Sequence, residues 1–147
     1  MGTKREILHI DDDPSLTRIV ARRLERYGYD VASINDPTEA ITQLVQKNRR
    51  VVLLDIDMPG KNGSEILEEI KRHDGVFQVI MLTGLVTVSS VLESFRLGAE
   101  AIFFKPLEDF DELNETLERT FKKIDRWWSA LDELAGRRRD ERVGSIK

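Results

Sequence analysis

The sequence predicts a three-layer α/β fold, a five-stranded parallel sheet between two layers of helices. Three observations predict it. Short apolar runs alternate five times with segments of helical spacing. The run Val51-Val52-Leu53-Leu54 is apolar throughout, as a strand covered on both faces should be. Four of the runs lead directly into a polar or charged residue at their ends, namely Asp11, Asp55, Thr83 and Lys105. In an open parallel sheet the rim beyond the carboxyl ends of the strands is where ligands bind. If the four runs are parallel neighbours, acids, a hydroxyl and an ammonium converge on one pocket.

Residues 5–10 are too brief for a helix and form the first strand. Pro14 suits the first turn of a helix, where its missing N–H does no harm. Leu16, Ile19, Val20, Arg23 and Leu24 then recur at helical spacing until Gly28. Asp30–Ile34 reads as the second strand. Asp36-Pro37 opens the second helix, with Ala40, Ile41, Leu44 and Val45 as its inner face. Val51–Leu54 is the third strand, closed by a loop from Pro59 to Gly63; Ile66, Leu67 and Ile70 mark the third helix. Val79–Leu82 is the fourth strand. Val88, Val91, Leu92 and Phe95 give the fourth helix, which Gly98 closes. Ala101–Phe104 is the fifth strand, and a fifth helix begins around Glu108. Right-handed crossovers put the helices on both faces of the sheet.

The fifth helix does not stop where a compact domain would. Leu117, Phe121, Ile124, Trp128, Leu131 and Ala135 follow alternating spacings of four and three, a heptad-like stripe reaching about Gly136. Phe121, Ile124, Trp128 and Leu131 are expected to stand beyond the sheet with no core beneath them. Burying one such side chain is worth roughly 1.5–3 kcal/mol, so the stripe calls for a cover. That cover is a second chain, an effector, or the domain itself if the segment folds back. The tail Arg137-Arg138-Arg139-Asp140-Glu141-Arg142 is charged and expected to be frayed or disordered. The domain division is therefore residues 4–125 and an amphipathic extension with a basic tail over 126–147.

Composition bounds the function. The 147 residues, 40 % of them hydrophobic, suit one domain with a sizeable core. A net charge of −4 argues against a polyanion-binding protein, and no helix-turn-helix, zinc-finger or RNA-binding motif is present, so no nucleic-acid contact is expected from these residues. The absence of cysteine excludes disulfides and thiolate metal sites and fits a reducing cytoplasm. No stretch approaches the ~18 apolar residues of a membrane span, and the first six residues lack a signal-peptide core. A cytoplasmic domain is expected.

Acids after the first strand, D-x-x-M-P-G-x-x-G beginning at Asp55, Thr83-Gly84 after the fourth strand and Lys105-Pro106 after the fifth together resemble the CheY-like receiver domain of response regulators. The resemblance covers roughly residues 4–125, and the order and spacing of its short motifs are highly specific. It implies a flavodoxin-like (βα)5 sheet of order 2-1-3-4-5. It also implies that Asp55 accepts a phosphoryl group from a histidine kinase or phosphotransfer protein. Asp11 and Asp12, with Asp55, match the acidic set that binds Mg²⁺, and the backbone carbonyl of Asp57 matches a further ligand. One acid, Asp13, is enough to cap the helix beginning near Pro14, whereas three adjacent acids repel one another. Lys105 matches the lysine that pairs with a phosphoryl oxygen; the Lys-Pro step, often cis in that family, fixes its direction. Thr83 matches the switch hydroxyl, and Gly84 leaves room beside it. The signalling face implied is helix four, strand five and helix five. Such a domain is a phospho-switch rather than a turnover enzyme, and the partner implied is a histidine kinase or phosphotransfer protein; the apolar stripe on the C-terminal helix adds an effector protein or, as a homodimer, a second copy.

This sequence departs from that pattern in places. The family's switch aromatic usually lies three residues before the lysine, where this chain has Ile102; Phe103 and Phe104 follow. Asp57 and Leu85 stand at positions expected to tune the phosphoryl lifetime. His9, within a strand, reads as a packed core or rim residue and His73 as a solvated surface group; neither has the partner cluster of a zinc site. The alternative reading is a phosphatase resembling the haloacid dehalogenases, with Asp55-Ile56-Asp57 as its D-x-D motif. Against it, no acidic pair follows Lys105 at a strand end, Asp109 and Asp111 belong to the start of helix five, and the acids after strand one go unused.

Overall fold

The computed structural model describes residues 4–56, 58, 62–84 and 87–146, with side chains described up to Arg142. Five parallel strands, β1 (Glu6–Ile10), β2 (Asp30–Ile34), β3 (Val51–Leu54), β4 (Gln78–Thr83) and β5 (Ala101–Phe104), form one sheet in the order β2-β1-β3-β4-β5. The helices between them are α1 (Pro14–Glu25), α2 (Ala40–Lys47), α3 (Gly63–His73), α4 (Val88–Arg96) and α5 (Phe110–Ile146), with a 3₁₀ turn at Pro37–Glu39 before α2. Fold class and strand order are as the sequence implied.

Alternation along each strand splits the core in two. Leu8, Ile10, Val52, Leu54, Val79 and Met81 face α2 and α3, where Ala40, Leu44, Ile66, Leu67 and Ile70 cover them. Ile7, Val51, Leu53, Ile80 and Leu82 face α1 and α5, packing with Val20, Leu24, Leu113, Leu117, Phe121 and Ile124. β1, β3 and β4 are paired on both edges, which is why their side chains are almost wholly buried and apolar.

Three expectations need correction, and the outward face of α4 is a further finding. Val45 is exposed, because α2 is preceded by a 3₁₀ turn and presents Ala40 and Leu44 inward instead. Phe121 and Ile124 lie within the core rather than beyond it; the stripe runs off the sheet only after them. The segment Arg137–Arg142 is helical, continuous with α5. It starts from an already packed helix and so avoids the unfavourable nucleation step, and Arg137 pairs with Glu133 one turn back at 2.7 Å. For the same reason the extension does not fold back on its domain. On α4, Val88, Leu92 and Phe95 face outward, while Ser94 is buried.

Candidate phosphoacceptor site

The rim pocket is assembled by the sheet's register. Ile10 of β1 stands opposite Leu54 of β3, and Leu54 opposite Met81 of β4, which continues two residues further to Thr83; Thr83 stands opposite Phe104. The next residue beyond three of these strands is therefore a site residue, and each is fixed by one more backbone hydrogen bond to its neighbour. The Asp11 N–H donates to the Ile34 carbonyl at 3.0 Å, the Asp55 N–H to the Ile10 carbonyl at 3.0 Å, and the Lys105 N–H to the Thr83 carbonyl at 2.7 Å.

Asp11, Asp12 and Asp55 each offer a carboxylate oxygen, all within 4.8 Å of one another. Asp11 and Asp55 are 1 % and 2 % exposed, and Thr83 is fully buried. The Lys105 ammonium lies between the two buried acids, 2.7 Å from Asp11 Oδ2 and 3.2 Å from Asp55 Oδ2. Burial works to lower its pKa, but the hydrogen bond to Asp11 and the charges of Asp55 and Asp11 outweigh that and raise it. The Lys105-Pro106 bond is cis. Asp57 and Leu85 lie outside the described residues.

Asp13 points away from this set. Its Oδ1 accepts from the N–H groups of Ser15 and Leu16 at 2.9 and 3.3 Å, the N-cap role expected of it. Asn35, which the sequence did not single out, donates to the Asp11 carbonyl at 2.9 Å and to Thr17 Oγ1 at 3.1 Å. Gly63, the last glycine of the D-x-x-M-P-G-x-x-G run, turns out to position the acceptor. A Cβ there would lie 2.2 Å from the Asp55 carbonyl oxygen and 2.5 Å from Ile56 Cα. Its N–H donates to the Ile56 carbonyl at 2.9 Å, so only glycine lets α3 start this close behind Asp55. The place of Gly63 in that motif was the signal for it. Gly84 is under no such constraint, since a Cβ there meets only Lys105 carbons at 3.7 Å or more.

His9 is buried in β1 on the face of Ile7, between Ser33 and Leu53, and neither ring nitrogen has a hydrogen-bond partner among the described residues. Burial pushes its pKa down to about 4, against the pull of Asp11 and with the help of Lys105, so it stays neutral near pH 7. His73 is exposed and lies beside Phe77, with ring centroids 6.4 Å apart. Neither histidine belongs to a metal-binding cluster among the described residues.

Residues 7–118 match the family described as the response regulator receiver domain. The chain belongs to that family. As a receiver domain it is 34 % identical over 123 residues to the probable transcriptional regulator ycf27 of Porphyridium aerugineum, covering 84 % of this chain and 50 % of that one. It is 35 % identical over 116 residues to the transcriptional regulatory protein ZraR of Salmonella typhimurium, covering 79 % of this chain and 26 % of that one. The receiver thus spans half or less of these two relatives. Among solved structures, the CheY-like receiver domain protein of Methanospirillum hungatei superposes with a TM-score of 0.74 at 27 % identity, covering 82 % of this chain and 99 % of that one. The chemotaxis protein CheY4 of Vibrio cholerae gives 0.72 at 25 % identity, with 80 % and 99 % covered. The dehalogenase-like alternative finds no support among these likenesses. Among the described residues of this receiver, no helix is long and apolar enough to cross a membrane.

Proposed function

We propose that Asp55 is the phosphoacceptor of this receiver domain and that the chain acts as a signalling switch rather than a turnover enzyme. The observation that carries the reading is the meeting of Asp11, Asp12 and Asp55 within 4.8 Å, with the Lys105 ammonium against two of them. Three carboxylates are a hard-oxygen donor set of the kind that suits Mg²⁺. Asp11, Asp12 and Asp55 would hold that ion; a further ligand from the Asp57 backbone carbonyl is what the family resemblance implies. When bound, Mg²⁺ supplies the positive charge that lets an anionic phosphoryl group approach a carboxylate.

The chain's own groups do the rest. An Asp55 oxygen forms the new O–P bond as the P–N bond to the kinase's phosphohistidine breaks, and the imidazole leaves with the electron pair. Lys105 Nζ neutralises one phosphoryl oxygen from a position it already holds. The Thr83 hydroxyl donates to another, and its reorientation biases the face of α4, β5 and α5. That face offers a partner Val88, Leu92, Phe95 and Phe104, all exposed. The switch position three before Lys105 carries Ile102, a partly buried residue packed on the core, so the coupling runs without an aromatic there.

The donor is a sensor histidine kinase or a phosphotransfer protein of the cytoplasm, the recipient of the signal is an effector protein, and a second copy of the chain is a further partner through α5. Residues 4–125 make up the receiver proper and 126–147 its extension; these residues contact neither nucleic acid nor membrane. Acetyl phosphate with Mg²⁺ should add one phosphoryl group by intact-mass measurement, and Asp55→Asn should abolish the gain. Unaltered phosphorylation of that variant would overturn the assignment.

A further inference from the structure

Strand β2 lies at the edge of the sheet, yet the residue that follows it reaches Asp11. Ile34 stands opposite Ile10, and its carbonyl accepts the Asp11 N–H at 3.0 Å. The register therefore brings Asn35 alongside Asp11, 24 positions away in the chain. The Asn35 amide donates to the Asp11 carbonyl at 2.9 Å and to Thr17 Oγ1 of α1 at 3.1 Å. A carbonyl only accepts, so the amide nitrogen and not its oxygen faces it, and both amide hydrogens are used. Thr17 is buried, and its own hydroxyl donates to the Pro14 carbonyl at 3.2 Å, which leaves its lone pairs to accept from Asn35. One side chain thus ties the end of β1 to α1.

That tie falls at the least supported point of the acidic loop. Asp11 is buried and paired with Lys105. Asp13 caps α1, and its own N–H donates to Asp11 Oδ1 at 3.0 Å. Asp12, between them, is only half-buried and makes no hydrogen bond or ion pair of its own among the described residues. Its carboxylate nonetheless lies within 4.8 Å of those of Asp11 and Asp55, where like charges push it outward. The direction of that carboxylate is set by the Asp11–Asp12 peptide, and Asn35 holds the carbonyl of that peptide. We infer that Asn35 is a positioning residue for the Mg²⁺ site, keeping the Asp12 carboxylate turned toward Asp11 and Asp55 before the ion arrives. It touches neither ion nor phosphoryl group and acts through the main chain. This role rests on the reading of the three aspartates as a Mg²⁺ site, and not on which of them accepts the phosphoryl group. Partners one step removed from the ligands change metal affinity by roughly 10–100-fold when removed. The Asn35 bond to Asp11 is partly exposed, which places it at the lower end of that range.

Calorimetric titration of the metal-free full chain with MgCl₂ tests the role without any phosphoryl donor. Asn35→Ala, at an exposed position, should bind Mg²⁺ about tenfold more weakly than the parent. Thr38→Ala is the control, because the Thr38 hydroxyl donates to Asp36 at 2.7 Å and not to the acidic loop. It should keep the Mg²⁺ affinity within about twofold of the parent, with a urea midpoint close to that of Asn35→Ala. The second measurement is amide relaxation by NMR at Asp12, whose N–H belongs to the held peptide. In the metal-free parent its order parameter should be that of rigid backbone, roughly 0.85. In metal-free Asn35→Ala it should fall, and saturating MgCl₂ should restore it. A merely structural role would lower the urea midpoint and move neither readout. If Asn35→Ala binds Mg²⁺ as the parent does, or if its Asp12 amide stays equally rigid, the positioning role is overturned while the Mg²⁺ site stands. A parent chain that takes up no Mg²⁺ removes the site itself, and the role of Asn35 with it.

Discussion

Gly63→Ala should be among the most damaging single-methyl additions near the site, and the structure supplies its size. The new Cβ would sit 2.2 Å from the Asp55 carbonyl oxygen, 2.5 Å from Ile56 Cα and 3.0 Å from the Asp55 carbonyl carbon. These are main-chain atoms with no rotamer to escape into. Relief requires the start of α3 or the 55–56 peptide to move by about an ångström, and overpacking of this kind costs ~1–3 kcal/mol or somewhat more. Alanine also restricts the unfolded chain, which returns ~0.4–1 kcal/mol. A net loss of ~1–2 kcal/mol remains, which for a domain of this size lowers Tm by roughly 3–8 °C. Because the moving peptide carries Asp55, the same change should weaken Mg²⁺ binding. Urea denaturation followed by circular dichroism reads the first effect and isothermal titration with MgCl₂ the second. Gly84→Ala is the matched control: its Cβ finds only ordinary contact with Lys105 at 3.7 Å, so stability should stay within ~0.5 kcal/mol of the parent. If Gly63→Ala matches Gly84→Ala in both measurements, Gly63 does not position the acceptor.

Two further outcomes follow from the charges. Lys105→Met removes the ammonium 2.7 Å from Asp11 and 3.2 Å from Asp55. In metal-free buffer this should cost ~1–3 kcal/mol, below the range for a fully buried pair because Lys105 is partly exposed. Added MgCl₂ should recover much of the loss, and urea midpoints that stay equally far apart with and without the ion would count against a shared cation site. His9 gives a dependence on pH. Its folded pKa, near 4, lies below the unfolded 6.5, so above pH 6.5 both states are neutral and its contribution is fully present. As pH falls from 6.5 toward 4 the unfolded chain takes up a proton that the folded one refuses, and stability drops; below 4 the loss levels off. Relative to the parent, His9→Leu should gain roughly 2 kcal/mol between pH 6.5 and 5, and parallel stability curves for the two proteins would show that burial does not hold the ring neutral.

The strands and the rim pocket were legible because two sequence signals coincide there. Apolar runs set the sheet, and a run of four or five residues leaves little freedom over which residue comes next, so Asp11, Asp55, Thr83 and Lys105 fell at the rim together. Helix faces were less legible. Spacing says that Val88, Leu92 and Phe95 share a side of α4, but not that this side turns outward while Ser94 turns in. Nor does spacing say where the sheet's lower edge lies, and so it left Phe121 and Ile124 outside a core that in fact encloses them. The tail was misread for a compositional reason. A charged segment reads as disordered on average, yet Arg137–Arg142 continues a helix whose packed half is already formed, with arginine among the better helix-forming residues. Gly63 was visible as a letter in a motif, but its closeness to the Asp55 main chain is a distance, and distance is not written in one sequence.

The extra rung beyond each strand has one more consequence. The amides of Asp11, Asp55 and Lys105 are tied into the sheet, so they should exchange with deuterium as slowly as the strands they extend. A surface cluster of acids would spread apart to relieve its mutual repulsion; these are tethered and cannot. The work of crowding them is done when the chain folds, and an arriving cation meets a site whose main chain is already set.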